Sequence, residues 1–163
     1  MYAVHTEMEE SLEQSDQPPP SVTIQGDACE HHSYLVEHTI SALKILNKEQ
    51  SEVSVLIVND ETMSNLHLKH AGIESSTDVL TFDHGSDEDA VRADIAICID
   101  VAQREAEPRN NSIQNEMLLY ILHGMLHCCG FDDHDDADHQ KIHAEEDRVL
   151  TAIGVGAVWS NVT

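Results

Sequence analysis

Residues 112–134 read SIQNEMLLYILHGMLHCCGFDDH. From Met117 to Leu126 every residue except His123 and Gly124 is apolar. A helix that is apolar on most of its circumference must be covered on most sides, so this stretch predicts the buried centre of a domain. Asn111 or Ser112 can cap its start, with Gln114 close to a capping-box position, and Gly130 is placed to end it. His123 and His127 stand four apart, so their imidazoles leave one helix face about one turn from each other. Beyond Gly130 the chain turns, and His134 can return as a third group. Three protein ligands leave a coordination position open to water, the pattern of a catalytic zinc ion rather than a structural one. An ion held in this way acidifies bound water and polarises a carbonyl or phosphoryl oxygen.

The same run excludes one class of enzyme. Zinc proteases with HExxH carry their general base directly after the first histidine, where this chain has Gly124. A residue this small predicts close approach of backbone or substrate. Motifs of serine hydrolases and phosphate-cradling glycine loops are absent. A second pair, His139 and His143, lies in the acidic segment DADHQKIHAEED and reads as a solvated helix face.

Working outward, the flanks alternate between strand and helix signals. SVTIQ (21–25), VSVLIVND (53–60), TDVLTFD (77–83) and ADIAICID (93–100) are β-branched or alternating runs, the last with Ile95, Ile97 and Ile99 on one face. Helices are predicted over 33–47, over ETMSNLHLKHA up to Gly72, over VAQREAEPRN with a break near Pro108, and from Asp135-Asp136 to Gly154. Without a strict βαβ alternation, the expected fold is an α+β single domain: a mixed, about four-stranded sheet packed by helices over residues 21–156. Residues 1–20, acidic and ending in three prolines, read as a disordered tail.

Composition narrows the function. The 163 residues carry 31 Asp and Glu against 8 Lys and Arg, a formal net charge of −23. Such a field repels polyanions at long range and favours metal cations. A halophile-like surface would look the same. No run approaches the ~20 apolar residues that span a bilayer, and the N-terminus has neither the basic nor the apolar region of a secretory signal, so a cytoplasmic location is expected. The four cysteines form no CxxC pair, which argues against both a zinc ribbon and a disulfide framework.

Three stretches together resemble the YbeY family of bacterial endoribonucleases and rRNA maturation factors. HGMLHCCGFDDH is similar to that family's HGxLHLxGYDH signature, STDVLTFD to its PTDVLSFP strand, and ADIAICIDVAQREA to its GDIVICxDVA segment. Order and spacing agree, over about residues 50–154 and more weakly from 21. The resemblance implies a compact α+β fold, a zinc-like ion held by three histidines, and cleavage of single-stranded RNA. It also implies roles in 16S rRNA 3′-end maturation and ribosome quality control, with rRNA and ribosomal proteins as partners and neither DNA nor membrane. His123 and His127 carry over as ligands. The family has five residues between its second and third histidines, whereas six separate His127 from His134. Either the loop absorbs one residue and His134 binds, or Asp133, in the gapless position, binds as a carboxylate. A loop absorbs one residue easily, which favours His134. The expected metal ligands are thus His123, His127 and His134. The ion is zinc, with nickel and cobalt chemically admissible.

The family also carries an arginine six residues before the threonine of TDVL, where this chain has Ala71, and His67 stands where the family usually has asparagine. Lys69 is the nearby candidate for the positive charge, so the expected catalytic residues are His123 and Lys69. The alternative to an endoribonuclease is a non-catalytic ribosome-assembly or protein-binding factor with a structural metal, favoured by the missing arginine and the acidic surface.

Overall fold

The computed structural model describes residues 18–160. The segment expected to form a disordered tail lies largely outside the described residues; Pro18, Pro19 and Pro20 are within them and carry no regular structure.

Four strands and five helices follow in chain order: β1 (Ser21–Gly26), α1 (His32–Ile45), β2 (Glu52–Val58), α2 (Asp60–Ala71), β3 (Val79–Asp83), β4 (Arg92–Cys98), α3 (Ile99–Ala106), α4 (Ile113–Cys128) and α5 (Asp136–Ala152). The strands form one sheet in the order β1-β2-β4-β3. β1, β2 and β4 are parallel, and β3 runs antiparallel on the edge beside β4. This is the mixed four-stranded sheet and the α+β class that the sequence predicts.

Side chains alternate across each strand. Val53, Val55 and Ile57 of β2 join Ala93, Ile95 and Ile97 of β4 in one core with Leu35 and Leu43 of α1, the apolar body of α4, and Ile142, Val149 and Leu150 of α5. On the opposite face, Val58, Ala96 and Cys98 pack with Met63 of α2 in a smaller cluster. Helix α4 is buried from Glu116 to Leu122 without interruption, as its composition requires. Ser112 caps it by accepting the Asn115 N–H.

The sequence places Ile99 on the same strand face as Ile95 and Ile97, but the strand ends at Cys98 and Ile99 opens α3. The cause lies in the neighbour. Cys98 pairs with Val58, the last residue of β2, and the following Asn59 caps α2 by accepting the Thr62 N–H. With no partner strand left to satisfy its backbone, the chain turns into helix. Asp60 of α2 then holds Arg104 of α3 through two hydrogen bonds, of 2.6 and 3.0 Å. The Arg104 hydrogen bond is the main reason the Asp60 carboxyl is held down to about 2.

All four cysteines are free thiols. No helix among the described residues is long and apolar enough to cross a membrane.

The close approach expected at Gly124 is with the sheet. A Cβ there would sit 2.5 Å from Thr81 Oγ1 and 3.3 Å from Ile95 Cδ1. Overpacking of this kind costs about 1–3 kcal/mol, against about 1 kcal/mol gained in helix propensity. Gly124→Ala should therefore lower stability by about 1 kcal/mol in urea unfolding, and an unchanged or raised midpoint would show that β3 yields without cost.

Candidate metal centre

Helix α4 carries its polar side chains on one stripe. Glu116, Tyr120, His123 and His127 follow at steps of four, three and four, close to the helical repeat. That stripe faces α5, the turns on either side of α4 and the segment after α5, where Glu116, His123 and His127 each find a different partner.

His127 Nδ1 lies 3.0 Å from the Phe131 carbonyl oxygen. A carbonyl can only accept, so Nδ1 carries the hydrogen and Nε2 a lone pair. His123 Nδ1 lies 2.7 Å from Oε1 of Glu146, whose side chain is fully buried. A carboxylate likewise accepts, so in the neutral imidazole the His123 Nε2 also presents a lone pair. The two Nε2 atoms are 2.9 Å apart, and Asp133 Oδ2 lies 3.5 Å from each. With both imidazoles neutral, three acceptors converge with no hydrogen among them, an arrangement that a metal ion or a proton must bridge. Burial alone would lower the His123 pKa, but the hydrogen bond and charge of Glu146 outweigh it and leave the pKa raised.

The loop decides which residue joins the pair. Phe131 N–H is tied back to the Leu126 carbonyl, and Asp135 is committed as the cap of α5 through the Asp138 N–H. Between these fixed points there is no slack for an extra residue. Asp133 turns inward and His134 outward. The His134 side chain is 83% exposed and lies 3.1 Å from Asp132 Oδ1. The structure therefore brings Asp133, not His134, to the histidine pair. Asp132, Asp133 and His134 form a second, more exposed group that shares Asp133 with the first, its ligand atoms within 4.8 Å of one another.

Lys69 is exposed in the last turn of α2 and lines neither cavity beside His123. Helix α2 packs on the other face of the sheet from α4, which is the physical reason. Ala71 ends α2, and His67 bonds the Ser75 carbonyl. Asp78 caps its own strand by accepting the Val79 N–H, and Asp94 pairs with His84.

The basic residue near the site is Arg109, which the sequence reading passes over. It sits in the turn after α3, hydrogen-bonds Glu116, and lies 3.7 Å from Glu105. Asn111 supplies a second donor to Glu116, at 2.9 Å. Arg109's guanidinium carbon stands 4.9 Å from the centroid of Trp159. Trp159 is positioned in turn by Asp147, whose carboxylate accepts the backbone N–H groups of Val158, Trp159 and Ser160. Burial would raise the Asp147 carboxyl, and these three donors more than reverse that. Trp159 Nε1 donates to Glu146, and its ring stacks on His143 at 3.8 Å. His143 is thus half-buried against Trp159 rather than on a wholly solvated face, while His139 is exposed.

Glu116 is fully buried and depends on Arg109 for its counter-charge. Removing one partner of such a pair costs about 3–5 kcal/mol. Arg109→Ala should destabilise the fold by about 3 kcal/mol, and adding Glu116→Gln should restore much of that loss. Equal instability in the single and double variants, measured by chemical unfolding, would remove the ion pair from the account.

With this geometry in place, the relatives of the chain are informative. Residues 22–154 match the family described as endoribonuclease YbeY. An endoribonuclease YbeY of Heliobacterium modesticaldum is 31% identical over 125 residues, 69% of this chain and 75% of that protein. One of Maricaulis maris is 33% identical over 129 residues, 78% of this chain and 81% of the relative. A solution structure of a Thermotoga maritima protein superposes with a TM-score of 0.60 at 21% identity, over 81% of this chain and 88% of that one, and so shares the fold. The chain belongs to the endoribonuclease YbeY family.

Proposed function

We propose that this protein is a metal-dependent endoribonuclease that cuts single-stranded RNA, acting in the cytoplasm on the 3′ end of 16S rRNA and in ribosome quality control, with the ribosome and its proteins as partners. Family membership supports the activity. The observation that carries the metal dependence is the convergence of His123 Nε2, His127 Nε2 and Asp133 Oδ2, three acceptors without a donor.

Two imidazoles and one carboxylate are a donor set that catalytic zinc accepts, and nickel and cobalt suit it as well. The bound ion would supply Lewis acidity toward a phosphoryl oxygen and a more acidic water. The chain's own residues do the rest. Glu146 orients His123 and raises its basicity, and the Phe131 carbonyl does the same for His127. Thr77 and Thr81 line the cavity of about 430 Å³ that opens beside the histidines, where their hydroxyls can hydrogen-bond the substrate.

The acidic surface and Ala71 favour a second reading, an assembly factor whose ion is structural. Cleavage of a single-stranded rRNA fragment separates the two. The wild type should cut it, and His127→Ala should lose cutting and bound metal together; stoichiometric metal without cutting, on or off the ribosome, would select the assembly factor.

The ligand set is tested separately. Asp133→Ala should weaken zinc binding about 100-fold or more, and His134→Ala should leave it within about twofold. Retained affinity in Asp133→Ala with loss in His134→Ala, read by competition with a chromophoric chelator, would return the third position to His134.

A further inference from the structure

Two cavities flank the His123–Asp133 line. The first, toward β3, contains Asp78 and Asp83 and no Lys or Arg. The second, of about 330 Å³, lies between α4, α5 and Trp159, and its walls include Arg109, Tyr120, His139 and His143. Both share His123, Asp133 and Asp78. A chain of phosphodiesters crossing the line must place neighbouring phosphates in one or both.

The first cavity holds three aspartates, Asp78, Asp83 and Asp133, with no Lys or Arg to offset them. The second is built differently. Arg109 gives one side of its guanidinium to Glu116, and it has five N–H groups in all. Two imidazoles, His139 and His143, each have a ring N–H to give whether or not they are protonated. Glu146 lines the same space, but both its oxygens are engaged, one by His123 and one by Trp159.

The decisive group is Tyr120. It is 2% exposed, its hydroxyl in the wall of this cavity makes no hydrogen bond of good geometry, and Glu116, the carboxylate that bears on it, is already held by Arg109 and Asn111. An orphaned buried hydroxyl costs about 1–3 kcal/mol, and phenylalanine would fill the same space without that cost. The hydroxyl, Arg109 and the two imidazoles are four donors in a cavity whose carboxylates are already engaged, Asp78 by the Val79 N–H, Asp133 at the histidine pair and Glu146 by His123 and Trp159. We infer that this cavity is an anion subsite that takes the RNA phosphate next to the scissile one, with Tyr120, Arg109, His139 and His143 as its donors. The inference rests on the endoribonuclease reading for the identity of the phosphate, but not for the binding of one.

The test uses zinc-loaded protein and two probes. Inorganic phosphate is titrated while the ring-proton resonances of His139 and His143 are followed by NMR, and KM and kcat are measured on a single-stranded RNA. Tyr120→Phe is the informative variant, because it removes the donor and leaves no cavity. Phosphate should shift both histidines. Tyr120→Phe should weaken phosphate binding and raise KM about tenfold, with kcat and metal content held and the melting temperature unchanged or higher. His139→Gln, at an exposed position, should raise KM in the same direction. The double variant Arg109→Gln with Glu116→Gln, which orphans no charge, should do so more strongly. Unshifted histidines, or phosphate affinity and KM unchanged in Tyr120→Phe, would overturn the subsite. If the wild type cuts no RNA, the functional reading fails, and the phosphate titration alone still decides the subsite.

Discussion

Helix α4 is the constraint from which the rest of the structure follows. It is buried from its first turn nearly to its last, and β3, β4, α1, α3 and α5 are arranged to cover it. Its apolar sides can be met by any well-shaped partner. Its polar stripe cannot, because Glu116, Tyr120, His123 and His127 each need a specific donor or acceptor once water is gone. Glu116 finds Arg109 and Asn111. His123 finds Glu146 of α5, and His127 finds the backbone of the loop that follows its own helix. The fold is thus anchored by the same side chains that form the site, and Tyr120 alone on the stripe makes no hydrogen bond of good geometry.

This arrangement bears on how so acidic a protein could handle RNA. A net charge of −23 gives no long-range attraction to a polyanion. Positive character is instead confined to the cleft. Arg109 lies between Glu116 and the Trp159 ring, and a cation at His123, His127 and Asp133 would add to it. Arg92, Arg104 and Arg148 are each engaged by a nearby aspartate or glutamate. Recognition in such a molecule has to be short-ranged and confined to the cleft.

Much of this was legible in the sequence for definite reasons. The near-continuous apolar character of 117–126 fixed α4 as central, alternation fixed the four strands, and Gly72, Ser112 and Asp135 marked helix ends through local capping chemistry. The spacing of His123 and His127 set their common face. Each of these depends on residues within one or two turns of each other, where local geometry is the same in any fold.

Other features depended on groups far apart in the chain. Strand β4 stops at Cys98 because β2, forty residues earlier, has run out at Val58. Asp133 rather than His134 faces the histidines because the loop is pinned at Phe131 and Asp135, and one residue's shift reverses which side chain points inward. Arg109 has no local mark, since its partners Glu116 and Trp159 meet it only after α4 and α5 have packed. Lys69, close to the strand motif in sequence, is carried to the opposite face of the sheet. The sequence by itself determined the elements, their caps and the histidine pair, because these follow from neighbouring residues. Only the tertiary structure decided the third group, the basic residue and the second cavity, because each is a contact between segments whose separation in sequence says nothing about their distance in space.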